Sequence, residues 1–170
     1  MEVLLVIDMQ EGFRYLDSER ILERVGKILQ KISPNYYFSR FKDKKNSTIE
    51  KHTLWKKFQD QKAWPIMSEI RHFSNKNNTF DHYTYTVLTP YLKKAFTKRH
   101  VKTVYLAGIY TDVCVIKTAM DLIDEGIQVK IIQDACASLH GEINHKQAID
   151  SLKHIIGRDN VIKSNMIRKT

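Results

Sequence analysis

Two patterns of apolar and polar positions alternate along the chain. Compact, β-branched apolar runs occur at VLLVID (3–8), in YYFSRF with its core at 37–41, at TVYLAGI (103–109) and at IQVKIIQ (127–133), and each reads as a strand. Two of them are nearly continuous in hydrophobicity, as strands buried on both faces of a parallel sheet are. A shorter run, NVIKS at 160–164, fits an edge strand. Between these runs the spacing becomes helical. In SERILERVGKILQKI the residues Ile21, Leu22, Val25, Ile28, Leu29 and Ile32 share one face, with Ser18 as the expected N-cap and Pro34 as the stop. Thr89 followed by Pro90 opens a second helix, because proline suits the first helical position. Val115, Ala119, Leu122 and Ile123 form the stripe of a third, which ends at Gly126, and INHKQAIDSLKHII is a last helix ending before Gly157.

Alternating strand and helix with long crossovers predicts an α/β fold: an open, mostly parallel sheet with helices on both faces, built from right-handed βαβ units. The length, 170 residues, suits one domain over 1–170 with a continuous core. No internal repeat is visible. The stretch from about 42 to 78, with Trp55 and Trp64 among charges and Pro65 interrupting any long helix, reads as a loop-rich excursion over the sheet edge.

Composition adds exclusions. MEVLLVIDMQEGF has an acidic second residue and a carboxylate inside a short apolar run, unlike a signal peptide or a membrane span, so a cytoplasmic protein with no membrane partner is expected. The two cysteines, Cys114 and Cys136, form no CxxC pair, which argues against a disulfide framework or a structural zinc site. The net charge of +9 raises nucleic acid as a partner. The basic residues lie in three separate stretches, FKDKKNSTIEKHTLWKK, LKKAFTKRHVK and IKSNMIRKT, without the interleaved aromatics and glycines of an RNA-binding strand, so a solvated surface is the expectation and no nucleic acid is predicted.

In open α/β sheets ligands bind beyond the carboxyl ends of the strands, where strand order reverses. Asp8 ends the first strand and Cys114 lies five residues past TVYLAGI, so parallel strands bring a carboxylate and a thiol to one edge. A helix starting near Thr111 or Asp112 puts Cys114 in its first turn, where free amides favour a thiolate and can cradle an oxyanion. The plainer readings stand beside these: Asp8 as a solvated or capping carboxylate, and Cys114 as a small buried residue. Cys136, in QDACAS, follows a strand without a clear helix start behind it, and its structural reading is favoured.

Three blocks, LLVIDMQEGF, LAGIYTDVCVIKTAMDLIDEG and VKIIQDACAS, together resemble the isochorismatase-like cysteine hydrolases, the superfamily that includes nicotinamidases and other small-amide hydrolases. The middle block is the most specific: Ala107 and Gly108, then Ile109 and Tyr110, then Thr111, Asp112, Val113, Cys114 and Val115 follow the family's small residue, Gly, two variable positions and Thr-Asp-x-Cys-Val. The resemblance implies a sheet of about six strands, a cis peptide at Ile109–Tyr110, an aspartate–lysine–cysteine triad mapping to Asp8 and Cys114, and an oxyanion hole from the amides of Tyr110 and Cys114. It also implies a homodimer or homotetramer. His82, in TFDHYTYTVLTP, stands where the lysine is expected; Lys76 lies six residues earlier in a loop-like stretch that does not fit the motif.

The expected reaction is cleavage of a C–N bond, amide or carbamoyl, in a small molecule through a thioester. Phe13 and Tyr110 are candidate walls for a small planar substrate. The His82 substitution leaves three readings: an altered working triad, an impaired member that binds a small ligand or a protein partner, or a shift in how the family motif maps onto this stretch. Asp43 and His52 lack the close spacing of a nicotinamidase metal site, and Cys114 argues against vinyl ether hydrolysis by a true isochorismatase. His140 and His145, five apart, make no ligand set, so no metal and no cofactor are expected.

Overall fold

In the computed structural model, which describes residues 1–168, six strands form one sheet in the order β3-β2-β1-β4-β5-β6, every pair parallel. The strands are β1 (Glu2–Ile7), β2 (Tyr36–Phe41), β3 (Thr79–His82), β4 (Thr103–Ile109), β5 (Gln128–Ala137) and β6 (Val161–Ile162). The helices are α1 (Leu16–Ile32), α2 (Thr48–Thr53), α3 (Pro90–Lys98), α4 (Ile116–Asp124) and α5 (Glu142–Ile156). Lys169 and Thr170, the end of the basic tail, lie outside the described residues. Among the described residues no helix is long and apolar enough to cross a membrane.

The sheet divides the core in two. Leu4 and Val6 of β1 face a cluster with α1 and the 42–78 segment, whereas Val3, Leu5 and Ile7 face α3, α4 and α5. Alternation along a single strand therefore feeds both layers, which is why β1 reads as continuously apolar. Its five residues Val3 to Ile7 are fully buried. The order reverses between β1 and β4, which turns their carboxyl ends into the crevice where ligands bind in such sheets.

Several boundaries differ from expectation for local reasons. α1 starts at Leu16 with Tyr15 as its N-cap; Ser18 sits inside the first turn, accepting from the Tyr15 amide (2.9 Å) and donating to carbonyls of Phe13 and Tyr15. Thr89 is the predicted cap of α3, its hydroxyl accepting from the Leu92 amide. Strand β3 has no apolar signature, since only Phe80 is hydrophobic in Thr79–His82, and it forms by pairing with β2. Strand β5 runs to Ala137 across an irregularity opposite Leu106 and Gly108, so Cys136 lies within the strand, paired with Gly108.

Gly108 has φ +118, and a β-carbon there would lie 2.1 Å from the carbonyl oxygen of Ile7. Only glycine permits β4 to approach β1 so closely just before the two strand ends that carry Asp8 and Cys114. The 42–78 segment folds as α2 and short 3₁₀ turns and is tied to the sheet by Gln10. The buried Gln10 side chain accepts from the Phe41 amide (2.7 Å) and donates its Nε2 to the carbonyls of Phe41 and Trp64 (3.0 Å each). Gln10→Leu strands these backbone groups without partners and is expected to lower unfolding free energy by about 2–4 kcal/mol, measured by urea denaturation.

Candidate active site

Asp8, at the end of β1, has a left-handed backbone (φ 53) and is fully buried. Its amide donates to Ser39 Oγ at 3.2 Å, and that hydroxyl donates to Asp8 Oδ1 at 2.6 Å. His82, at the end of β3, reaches across β2 to the same oxygen, Nε2 to Oδ1 at 2.8 Å, while its Nδ1 lies 2.8 Å from the Thr84 carbonyl. A carbonyl only accepts, so Nδ1 carries a proton and Nε2 faces a carboxylate. Burial pushes the His82 pKa down, but the charge and hydrogen bond of Asp8, with the Thr84 carbonyl, outweigh it, and the net shift is upward. His82 is thus drawn toward the imidazolium form, and the Asp8–His82 unit toward a buried ion pair.

The second oxygen of Asp8, Oδ2, is buried and has no hydrogen-bond partner. Cys114 lies beside this carboxylate on a π-helical turn, Thr111–Val115, that joins β4 to α4. The amides of Val113 and Val115 both donate to the Tyr110 carbonyl (3.2 and 3.0 Å), and the Val115 bond closes a wider loop than an α-turn. The peptide between Ile109 and Tyr110 is cis, as the family resemblance implies.

The expected direction for the thiol is reversed. Burial pushes the Cys114 pKa well above the ordinary thiol value, and the charges of Asp8 and Asp112 push it further; the Tyr110 amide, directed at the sulfur, pulls the other way. Desolvation beside two carboxylates outweighs the turn's dipole, so the resting group is a thiol. Cys136 is also held up by burial, to about 12, and its Sγ lies 3.7 Å from the Leu106 carbonyl, in keeping with its structural reading.

The turn is gripped by the two histidines whose spacing suggested no role, His140 from the β5–α5 connection and His145 from the first turns of α5. His145 Nδ1 lies 2.8 Å from Thr111 Oγ1, and His140 Nδ1 lies 2.6 Å from Asp112 Oδ2. Above the turn is a cavity of about 310 Å³ lined by Phe41, Ile49, Thr53, Trp55, Tyr85, Tyr110, Val113 and His140. Tyr110 and Val113 flank Cys114 in sequence, so the turn that carries the thiol forms the cavity floor. Phe41 also packs edge-on against His82, with ring centroids 5.5 Å apart.

Tyr110 thus lines the cavity as expected, whereas Phe13 is 2% exposed and stands one layer back, edge-on to Tyr110 at 5.4 Å and packed on Trp55 and Phe58. Ser39, Trp55, Tyr85 and His140 were not anticipated. A lone serine between the hydrophobic positions of YYFSRF was the one available sign of Ser39, and Trp55 among the charges of the irregular segment was the sign of the cavity wall. Among the described residues, no group of three or more His, Cys, Asp or Glu side chains is arranged to hold a metal ion.

The sequence profile described as the isochorismatase domain matches residues 2–159. Mouse isochorismatase domain-containing protein 2B is 32% identical over 149 residues, 86% of this chain and 63% of the mouse protein. The rat isochorismatase domain-containing protein 2 is 35% identical over 71 residues, 42% of this chain and 33% of its own length. Among solved structures, an isochorismatase-like hydrolase from Alkaliphilus metalliredigens superposes with a TM-score of 0.83 at 18% identity, covering 96% of this chain and 95% of its own. N-carbamoylsarcosine amidase from Thermoplasma acidophilum gives 0.83 at 17%, covering 98% of each chain, and the pyrazinamidase/nicotinamidase of Streptococcus mutans gives 0.81 at 23%, covering 95% and 99%. With nearly the whole chain matched by the family profile, the protein belongs to the isochorismatase family.

Proposed function

We propose that the protein is a cysteine hydrolase that cleaves the C–N bond of a small amide or carbamoyl compound, with Asp8 and Cys114 as the reacting groups and His82 as the charge-balancing one. One observation carries the reading: Asp8 Oδ1 is held by His82 and Ser39 while Oδ2 is buried without a hydrogen-bond partner, and the buried Cys114 thiol lies beside this carboxylate. A buried carboxylate oxygen without a partner is costly unless a proton or a ligand is to meet it. Family membership supports hydrolysis, and the fold-level likeness to the Thermoplasma and Streptococcus amidases supports an amide-type bond.

The chemistry follows from this polarity. Oδ2 takes the Cys114 proton as sulfur attacks the carbonyl carbon, forming the C–S bond and moving the carbonyl π pair onto oxygen, where the amides of Tyr110 and Cys114 receive it. Collapse of this adduct breaks the C–N bond, and Asp8 returns its proton to the departing nitrogen. Water then attacks the thioester while Asp8 accepts its proton; the C–S bond breaks, the acid leaves, and the proton returns to sulfur. The raised thiol pKa keeps sulfur protonated at rest, which reserves the proton for this sequence. The His82 cation offsets the anion that develops on the substrate, as the family lysine is expected to do.

A panel of amides and ureides assayed for ammonia or amine release tests the reading. Wild type is expected to turn over at least one, and Cys114→Ala to lose about 10³-fold or more of kcat; equal turnover by the alanine variant rejects the cysteine as nucleophile. A second reading, ligand binding without turnover, is favoured by the anionic surroundings of the sulfur, where Asp8 and Asp112 act and no cation is in direct contact. His82→Lys separates the two: turnover gained only in this variant identifies a decayed site, whereas a working His82 triad loses activity on the exchange.

The His82 shift also predicts a stability profile. Its folded pKa lies above the ordinary value of 6.5, so its pairing with Asp8 contributes stability that is complete below about 6.5 and is lost as pH rises through the folded value. The difference in unfolding free energy between wild type and His82→Gln is therefore expected to be largest near about pH 6 and to shrink in alkali, read from urea titrations across pH.

A further inference from the structure

The cavity beside the turn that carries Cys114 is walled by aromatic rings, and among its lining residues a single side chain, His140, is able to carry positive charge. This residue comes from the β5–α5 connection and rests against the Tyr110 ring, centroids 5.1 Å apart, while its Nδ1–H is donated to Asp112 Oδ2 at 2.6 Å. Nε2 has no protein partner among the described residues. Asp112 is itself held on the nucleophile turn, with its other oxygen buried and unpartnered, so one carboxylate fixes the ring's orientation relative to Cys114.

These features divide the labour of recognition. Trp55, Tyr85, Phe41 and Tyr110 offer flat apolar faces, which favour a planar, unsaturated body. Thr53 and the tyrosine hydroxyls provide only neutral polar groups. With Nδ1–H committed to Asp112, a cationic imidazole presents Nε2–H as the one charged donor in the cavity, a partner for an anionic oxygen. The overall charge of +9 draws anions toward the protein before contact is made.

We propose that His140, oriented by Asp112, determines specificity in this cavity and selects flat, unsaturated amides that carry a carboxylate remote from the scissile carbonyl. The proposal rests on the hydrolase reading for its turnover consequences and on the cavity alone for its binding consequence. A charged donor that is lost leaves the substrate carboxylate desolvated without a partner, and such discrimination typically exceeds that of a missing methylene.

The test compares benzamide with its ring-carboxylated analogue, using wild type, His140→Phe, His140→Gln and Asp112→Asn. The readout is the ratio of kcat/KM for the carboxylated over the neutral amide. Wild type is expected to favour the carboxylated amide. The ratio is expected to fall about tenfold or more in His140→Phe, to be partly kept in His140→Gln, which retains a neutral donor, and to fall in Asp112→Asn. Because His140 is more than half exposed, its two variants are expected to keep the wild-type circular dichroism spectrum. A ratio unchanged in His140→Phe overturns the proposal. Calorimetric titration of benzene dicarboxylate into unreacted protein separates it from the hydrolase reading. Binding that His140→Phe weakens about tenfold supports the proposal even where no amide is hydrolysed, and binding indifferent to His140 rejects it even where amides are.

Discussion

The site depends on a carboxylate buried at the end of the central strand. Asp8 is fully enclosed, and leaving its charge unpaired inside the core would cost several kcal/mol. His82 and Ser39 meet that cost at one oxygen and leave the other free. Everything nearby serves this asymmetry: β2 supplies Ser39 between the two partners, β3 exists to deliver His82, and Gly108 lets β4 close against β1 so that the Cys114 turn begins beside Oδ2.

Sheet order converts this pair of partners into a site. Reversal between β1 and β4 opens a crevice at their carboxyl ends, and the segment after β2 covers it instead of extending the sheet. Gln10 holds that cover by satisfying backbone groups of Phe41 and Trp64. Phe58 and Phe13 then pack as an aromatic layer behind Trp55, which lines the cavity. The same segment that lacks regular structure therefore builds the surface a ligand meets, consistent with the general tendency of binding residues to ride on loops over a rigid sheet.

His82 is the titratable group that balances the buried carboxylate, and its surroundings favour the charged form. The neighbouring carboxylate raises the His82 pKa against its burial, and the planar ring is fixed at both nitrogens, to Asp8 and to Thr84. It is held on the far side of Asp8 Oδ1, so the sulfur itself feels carboxylates and one amide. The thiol is consequently held by burial and by neighbouring carboxylates on the protonated side, with no standing ion pair to favour the thiolate.

Local physics in the chain was enough for much of this. The continuous apolar run at 3–8, the stripe from Ile21 to Ile32 and the Thr89–Pro90 start each specify an element through periodicity or capping, and with the strand 103–109 and the helix start after it they place Asp8 and Cys114 at one edge; the Thr-Asp-x-Cys-Val motif was legible through the family resemblance. Tertiary structure decided what has no local signal. Strand β3 is too polar to be recognised alone and is held by β2; Ser39 and His140 acquire roles only through contacts 31 and 28 residues away in sequence. The direction of the Cys114 shift was likewise beyond the chain's local pattern, because a helix start acts over one turn, whereas burial and the approach of Asp8 depend on how the whole sheet closes around the thiol.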